Sequence, residues 1–209
     1  MKLLIFGASG NTGKEVVKQA LEQGHNVTAF VRNPEKLDIT HPHLSFFQGD
    51  VMDIVSVQKA VQGQEAVLCL LGAGKKLSGN IRSEGTRNII QAMEQAGIQR
   101  LICQSTLGAG DSWGSLNLYW KYIMFGLLLK NVLADHEHQE KIIRASSLNW
   151  TIVRPGSLLD GEKTGEYRYG FPGSDNTSQL QITRADVADF ILKQLTDNTY
   201  VGKAPSLSY

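Results

Sequence analysis

The chain is poor in cysteine, in proline and in long apolar runs, and its charges almost cancel. Its 209 residues include two cysteines, five prolines, and 21 basic against 20 acidic side chains for a formal net charge of +1. Two cysteines make no disulfide framework, and Cys69 and Cys103 each lie inside an apolar run (AVLCLL and RLICQS). That placement points to buried, reduced thiols and a cytoplasmic protein. Balanced charge argues against nucleic acid as a partner, since phosphate backbones are met by a clear basic excess. The opening MKLLIFGASG is too short in apolar residues for a signal peptide. The longest later apolar stretch, Ile123 to Leu129, falls far short of the roughly 20 residues that span a bilayer. No membrane partner is expected.

What is present is a globular composition, 42% hydrophobic and 20% charged with 21 glycines. This length fits one domain over 1–209, burying roughly 70% of its unfolded surface. Short β-rich runs alternate with helical periodicity, which implies an α/β fold, a Rossmann-like doubly wound parallel sheet with helices on both faces. Strands are expected at Lys2 to Phe6, Asn26 to Val31, Leu44 to Gln48, Ala66 to Leu71, Arg100 to Gln104 and Trp150 to Val153. A weaker strand is expected near Gly165 to Tyr169. Helices are expected from the glycine turn to Gly24 and near Ser56 to Val61. Further helices are expected at Ser83 to Ala96, Ala134 to Ala145 and Arg184 to Leu195. Ser105 to Asn131 reads as irregular. The part from about residue 155 to 209 would form a small substrate-pocket region.

The feature with the clearest chemistry is GASGNTG at Gly7 to Gly13, directly after a strand and opening a helix. In such a turn the first glycine permits the tight bend. The second lets backbone approach a pyrophosphate, and the third lets helix pack on strand. The free N–H groups at the helix start favour an anion there, and Asn11 and Thr12 add side-chain donors. Strand two ends in Val31-Arg32-Asn33 with no acid to accept from a ribose 2′-hydroxyl. Arg32 is instead suited to a 2′-phosphate, which favours NADP(H). Asp50, before Val51, either accepts from an adenine amino group or caps its own turn. Leu71, Gly72 and Ala73 offer a small-residue floor where strand four ends.

Together GASGNTG, the VRN after strand two, QGDV at Gln48 to Val51, SEGTRNII at Ser83 to Ile90 and TIVRPG at Thr151 to Gly156 resemble the atypical short-chain dehydrogenase/reductases. The nearest likeness is to their NAD(P)H-binding, NmrA-like members in the biliverdin reductase B/flavin reductase branch, over nearly the whole chain. The resemblance implies a monomer or weak homodimer that binds NADPH along the carboxyl ends of the strands. The implied acceptor is a flavin, a quinone or a linear tetrapyrrole. It matches Gly7, Ser9, Gly10 and Thr12 to pyrophosphate contacts, Arg32 to the 2′-phosphate contact, and Asp50 and Val51 to adenine contacts. Leu71 and Gly72 would line the cofactor, with Ser105 beside the nicotinamide and His136 near the pocket. Pro155 and Ser157 close the set, and Ser157 replaces a second pocket histidine, a departure that weighs against a tetrapyrrole.

The better-known members of that superfamily use a Tyr and a Lys four residues later as acid and base. Here Tyr119 is followed at that spacing by Ile123 and Tyr122 by Gly126, so reduction of simple ketones by such a pair is not expected. Flavin or quinone reduction asks less, because hydride goes to an electron-poor ring and protons arrive from water. Ser105 either holds the nicotinamide or polarises an acceptor carbonyl. His136 shares a helix face with Glu140 but not with His138, and no third ligand completes a metal site. The apolar segment Trp113 to Leu129 is either a lid over a flat substrate or core and dimer contact. A redox sensor that binds NADP(H) without turnover is the alternative function, and a sugar epimerase or dehydratase ranks last.

Overall fold

Leu3 and Ile5 lie on one side of the first strand and Leu4 and Phe6 on the other, and all four are fully buried. A strand buried on both faces must have helices above and below it. That is the arrangement in the computed structural model of this protein, which describes residues 1–72, 79–173, 175 and 177–209. Along the chain come β1 (Lys2–Phe6), α1 (Asn11–Glu22), β2 (Asn26–Val31), β3 (Leu44–Gln48), α2 (Ile54–Val61) and β4 (Ala66–Cys69). Next are α3 (Ile81–Ala96), β5 (Arg100–Gln104), α4 (Lys130–Arg144), β6 (Asn149–Pro155) and β7 (Ser157–Leu159). The order ends with β8 (Arg168–Tyr169), β9 (Gln181–Thr183), α5 (Arg184–Lys193) and β10 (Ser206–Ser208).

Eight of the strands form one sheet in the order β3-β2-β1-β4-β5-β6-β10-β8, parallel throughout except for the pairing of β8 with β10. The chain winds outward from β1 in one direction, then returns and winds outward from β4 in the other. The carboxyl ends of β1 and β4 therefore diverge into a crevice, the usual place for a ligand in such sheets. On one face α1 and α5 cover Leu3, Ile5 and Ile102 with Val16, Val17, Val187 and Ile191. On the other, α2, α3 and α4 cover Leu4, Phe6 and Cys69 with Val57, Ile89, Met93 and Ile143. Cys69 and Cys103 are register partners on β4 and β5, both buried and both free thiols, and burial pushes the Cys103 thiol well up.

Element boundaries moved where a cap decides them. Asp53 accepts from the Val55 N–H at 3.1 Å, so α2 starts at Ile54 rather than near Ser56. The α3 start has no side-chain cap of its own, and Asp135 of α4 takes that part: its Oδ1 accepts from Ser83 N at 3.1 Å and its Oδ2 from Arg82 N at 3.2 Å. Helix α4 begins at Lys130, four residues before the expected Ala134. Strand β4 stops at Cys69, short of the expected Leu71. The segment read as irregular contains a 3-10 turn at Gly110–Ser115 and ten residues of π-helix at Tyr119–Leu128. The two-residue β8 is all that forms of the strand expected at Gly165 to Tyr169, because Asp186 takes the Thr164 and Gly165 N–H groups. Among the described residues no helix is long and apolar enough to cross a membrane.

Candidate functional site

At the crevice the glycine turn leaves β1 so tightly that Gly7 adopts φ +78° and Gly10 N donates to Gly7 O at 2.9 Å. A Cβ on Gly7 would stand 2.2 Å from the Leu70 carbonyl oxygen, and one on Gly13 would stand 2.1 Å from the Gly7 carbonyl oxygen. The bare backbone therefore presses turn, helix and the end of β4 together, as the sequence spacing requires. The Gly10 cap contributes no side-chain bond to the start of α1. The first N–H groups of α1 are thus available to an anion.

A groove of about 700 Å³ runs from this turn across the ends of β4, β5 and β6. Gly7, Ser9, Gly10, Asn11, Thr12, Arg32, Asp50, Val51, Leu71, Gly72, Ser105, His136 and Pro155 all line it. Those predicted residues are brought together in one place. Ser157 is not among them: it sits on β7, paired with β9, and lines a second, smaller pocket. Ala73 lies outside the described residues. Asp50 serves its own turn, with Oδ1 accepting from Met52 N at 3.0 Å.

Lys36 joins Arg32 at the β2 end of the groove. Sequence reasoning passed over it, although the Asn33-Pro34 break that starts its 3-10 turn is what returns the chain there. Arg82, Gln104, Thr106 and Arg184 also line the groove and were not expected. Arg184 is held by Asp160 at 2.6 Å.

At the opposite end Ser105 is 2% exposed, and its hydroxyl donates to Glu140 Oε1 at 2.7 Å. Glu140 in turn accepts from Arg154 through both oxygens, Nε to Oε1 at 2.9 Å and Nη2 to Oε2 at 2.6 Å. Arg154 completes its fork on Asp111 Oδ1 at 2.7 Å. This buried chain of groups was missed because its partners are 14 to 43 residues apart in sequence and Glu140 looked like a companion of His136. With Glu140 so engaged it has no role as a metal ligand beside His136.

Three buried polar atoms on this stretch of the groove have no hydrogen-bond partner among the described residues: Arg82 Nε, Gln104 Oε1 and His136 Nδ1. Buried polar groups are normally paired, and these three atoms lie behind the groove's surface, closed off from solvent. Burial, helped by the Arg82 charge and opposed by Asp135, pushes the His136 imidazole down to about 3. His136 is therefore neutral at ordinary pH and offers hydrogen bonds rather than a proton. Tyr119 and Tyr122 are exposed on the π-helix and are not among the residues that line the groove.

The family model for NAD(P)H-binding proteins matches residues 7–198, from the glycine turn to the last helix and beyond. The chain belongs to this NAD(P)H-binding family. An uncharacterised chloroplastic protein of Arabidopsis thaliana is 32% identical over 176 residues, covering 78% of this chain, which spans 61% of that relative. Among solved structures, the oxidoreductase ylbE of Lactococcus lactis matches with a TM-score of 0.85 and 25% identity, covering all of this chain and 90% of its own. ChuY of Escherichia coli O157:H7, an anaerobillin reductase, matches with a TM-score of 0.80 and 27% identity, covering all of this chain and 97% of its own. NAD(P)H binding and the fold of NAD(P)-dependent oxidoreductases follow from these likenesses. The glycine cradle fits such a cofactor, because a side chain at Gly7 or Gly13 would collide with backbone.

Proposed function

We propose that this protein is an NADPH-dependent reductase of a planar, electron-poor acceptor: a flavin, a quinone or a linear tetrapyrrole. The observation that carries the reading is the groove of about 700 Å³ that runs from the bare glycine turn and Arg32 to Ser105 and His136. In this reading the N–H groups of α1, with Ser9, Asn11 and Thr12, hold the pyrophosphate. Arg32 and Lys36 hold the 2′-phosphate, which selects NADPH over NADH. Asp50 and Val51 flank the adenine, and Leu71 and Gly72 line the middle of the groove.

When bound, the cofactor supplies the hydride, so the chain's own work is placement. The Ser105 proton is engaged by Glu140, and its oxygen is left to accept a hydrogen bond from the groove. That suits an amide N–H, and Ser105 thus holds the nicotinamide carboxamide. Polarising an acceptor carbonyl would need the proton that Glu140 already has. Among the described residues, neither Ser105 nor His136 is poised as an acid: His136 is neutral and Ser105 is a committed donor elsewhere. Acceptors that take their protons from water fit this site, and simple ketones do not. The residues from Pro155 onward, including Leu158 and Arg184, form the acceptor side of the groove.

The test is NADPH absorbance with purified protein and FMN, a soluble quinone and biliverdin offered separately. Decay with one of them names the acceptor class. Tight NADPH binding with no decay in any of the three would replace the reductase by a binding protein that senses the cofactor.

A further inference from the structure

The π-helix Tyr119–Leu128 is apolar on both sides. Its winding repeats at a little over four residues, so Leu118, Tyr122 and Leu127 fall in one row and Tyr119, Ile123 and Leu128 in the next. All six are exposed, with Leu118, Tyr122 and Leu127 at 72%, 68% and 76%. The inward row, Trp120 and Phe125 followed by Leu129, walls the second pocket, a cavity of about 280 Å³. That pocket shares Thr106, Gly156, Leu158 and Arg184 with the cofactor groove. A surface helix ordinarily turns polar side chains to water, and one that is apolar all round needs a second apolar neighbour.

We propose that this outer face docks on an anionic lipid surface, and that the pocket behind it takes the aliphatic tail of an acceptor drawn from that surface. Charge favours lipid over a second copy of the chain. Residues 112–134 contain no acidic side chain and two lysines, Lys121 and Lys130. In a two-fold contact those lysines would meet only the same cations, whereas an anionic headgroup layer complements them. Tyr119 and Tyr122 beside Leu118 and Leu127 suit the headgroup boundary, where apolar side chains reach inward and polar tips stay wet. This contact is peripheral and needs no membrane-spanning helix.

Only the second clause, about the tail, rests on the reductase reading. The membrane contact is tested by cosedimenting the full chain with vesicles of phosphatidylcholine alone and of phosphatidylcholine with phosphatidylglycerol. The anionic vesicles should carry it down. Leu127→Glu with Leu128→Glu, neither of which lines a pocket, should weaken that binding roughly tenfold or more and leave NADPH binding and the melting temperature unchanged. Absence of sedimentation, or equal sedimentation of both proteins, would overturn the proposal. So would a dimer seen by sedimentation velocity that the double variant splits, with no vesicle binding.

The tail is tested with a prenylated quinone dissolved in the anionic vesicles against a short water-soluble quinone. The double variant should slow NADPH oxidation by the first and leave the second unchanged; equal rates with both would overturn the tail clause. If the wild-type protein reduces neither quinone, the tail clause falls and the reductase reading is left to FMN and biliverdin, while the vesicle result stands by itself.

Discussion

The Ser105 hydroxyl proton points at Glu140 Oε1, and that one hydrogen bond sets what the residue can do in the groove. A positioning serine and an acidic serine differ in what their removal changes. Ser105→Ala should raise the KM for NADPH several-fold and leave the pH profile of kcat where it was. A catalytic acid would instead cost about 10²-fold or more in kcat and shift the profile. Glu140 carries a second burden, since Arg154 is 1% exposed and both its paired nitrogens on that side go to this carboxylate. Glu140→Gln keeps one acceptor oxygen but leaves Asp111, whose side chain is largely exposed, as the anion paired with the guanidinium, and should destabilise the fold by roughly 3 kcal/mol. Thermal melting reads that directly. At the other end of the groove Arg32→Ala should weaken NADPH about tenfold or more and NADH hardly at all, because only NADPH carries the phosphate. Equal losses in a binding titration would remove the basis for choosing NADPH. Arg32 was legible from the sequence because it follows a strand end by one residue. Glu140 and Arg82 were not, because nothing local distinguishes a buried carboxylate or guanidinium on a helix from a solvated one.

Elements whose residues carry their own signal were read close to their true bounds. β1, β2, β3 and β5 match residue for residue, since runs such as LLIF and NVTAFV are apolar, β-prone and bounded by glycine or charge. β7, β9 and β10 were unread because three-residue strands have no pattern of their own. Each exists by pairing with a distant segment, β7 with β9 and β10 with β6 and β8. The π-helix escaped for a related reason, as its inward spacing of five and four residues fits no α-helical template. The glycine turn is the element most exposed to a single change. Gly7→Ala places a methyl group inside van der Waals range of the Leu70 carbonyl at a φ that L-residues avoid. It should cost about 2–4 kcal/mol and push the turn away from β4. NADPH binding should fall further than the melting temperature alone accounts for, which a titration well below the melting point would show.

At the scale of the whole molecule, one buried carboxylate ties the end of the chain to the rest. Asp186 of α5 accepts from Tyr209 Oη at 2.6 Å, Thr164 Oγ1 at 2.7 Å, Thr183 Oγ1 at 3.0 Å, and the Thr164 and Gly165 N–H groups at 2.9 Å each. Burial alone would raise its carboxyl, but the bonds from Tyr209, Gly165, Thr164 and Thr183 hold it below its ordinary 3.8. The folded carboxyl is thus the stronger acid. Its stabilisation is complete above about 3.8 and is lost as pH falls through the lower folded value. His136 acts in a different window. The unfolded chain takes up a proton near 6.5, while the folded protein refuses it until about 3. Each unit of acidification between those values therefore removes up to about 1.4 kcal/mol. Acid unfolding should begin with a slope set by His136 and steepen below 3.8 as Asp186 protonates. His136→Gln should flatten the loss of stability between pH 6 and 4, judged by urea midpoints. Asp186→Asn should lower stability by roughly 2–4 kcal/mol already at neutral pH, through Tyr209 and the 164–165 turn together, and leave a shallower limb at the acid end. A variant in which neutral-pH stability is unchanged would mean that the last strand is held by its pairing with β6 and β8.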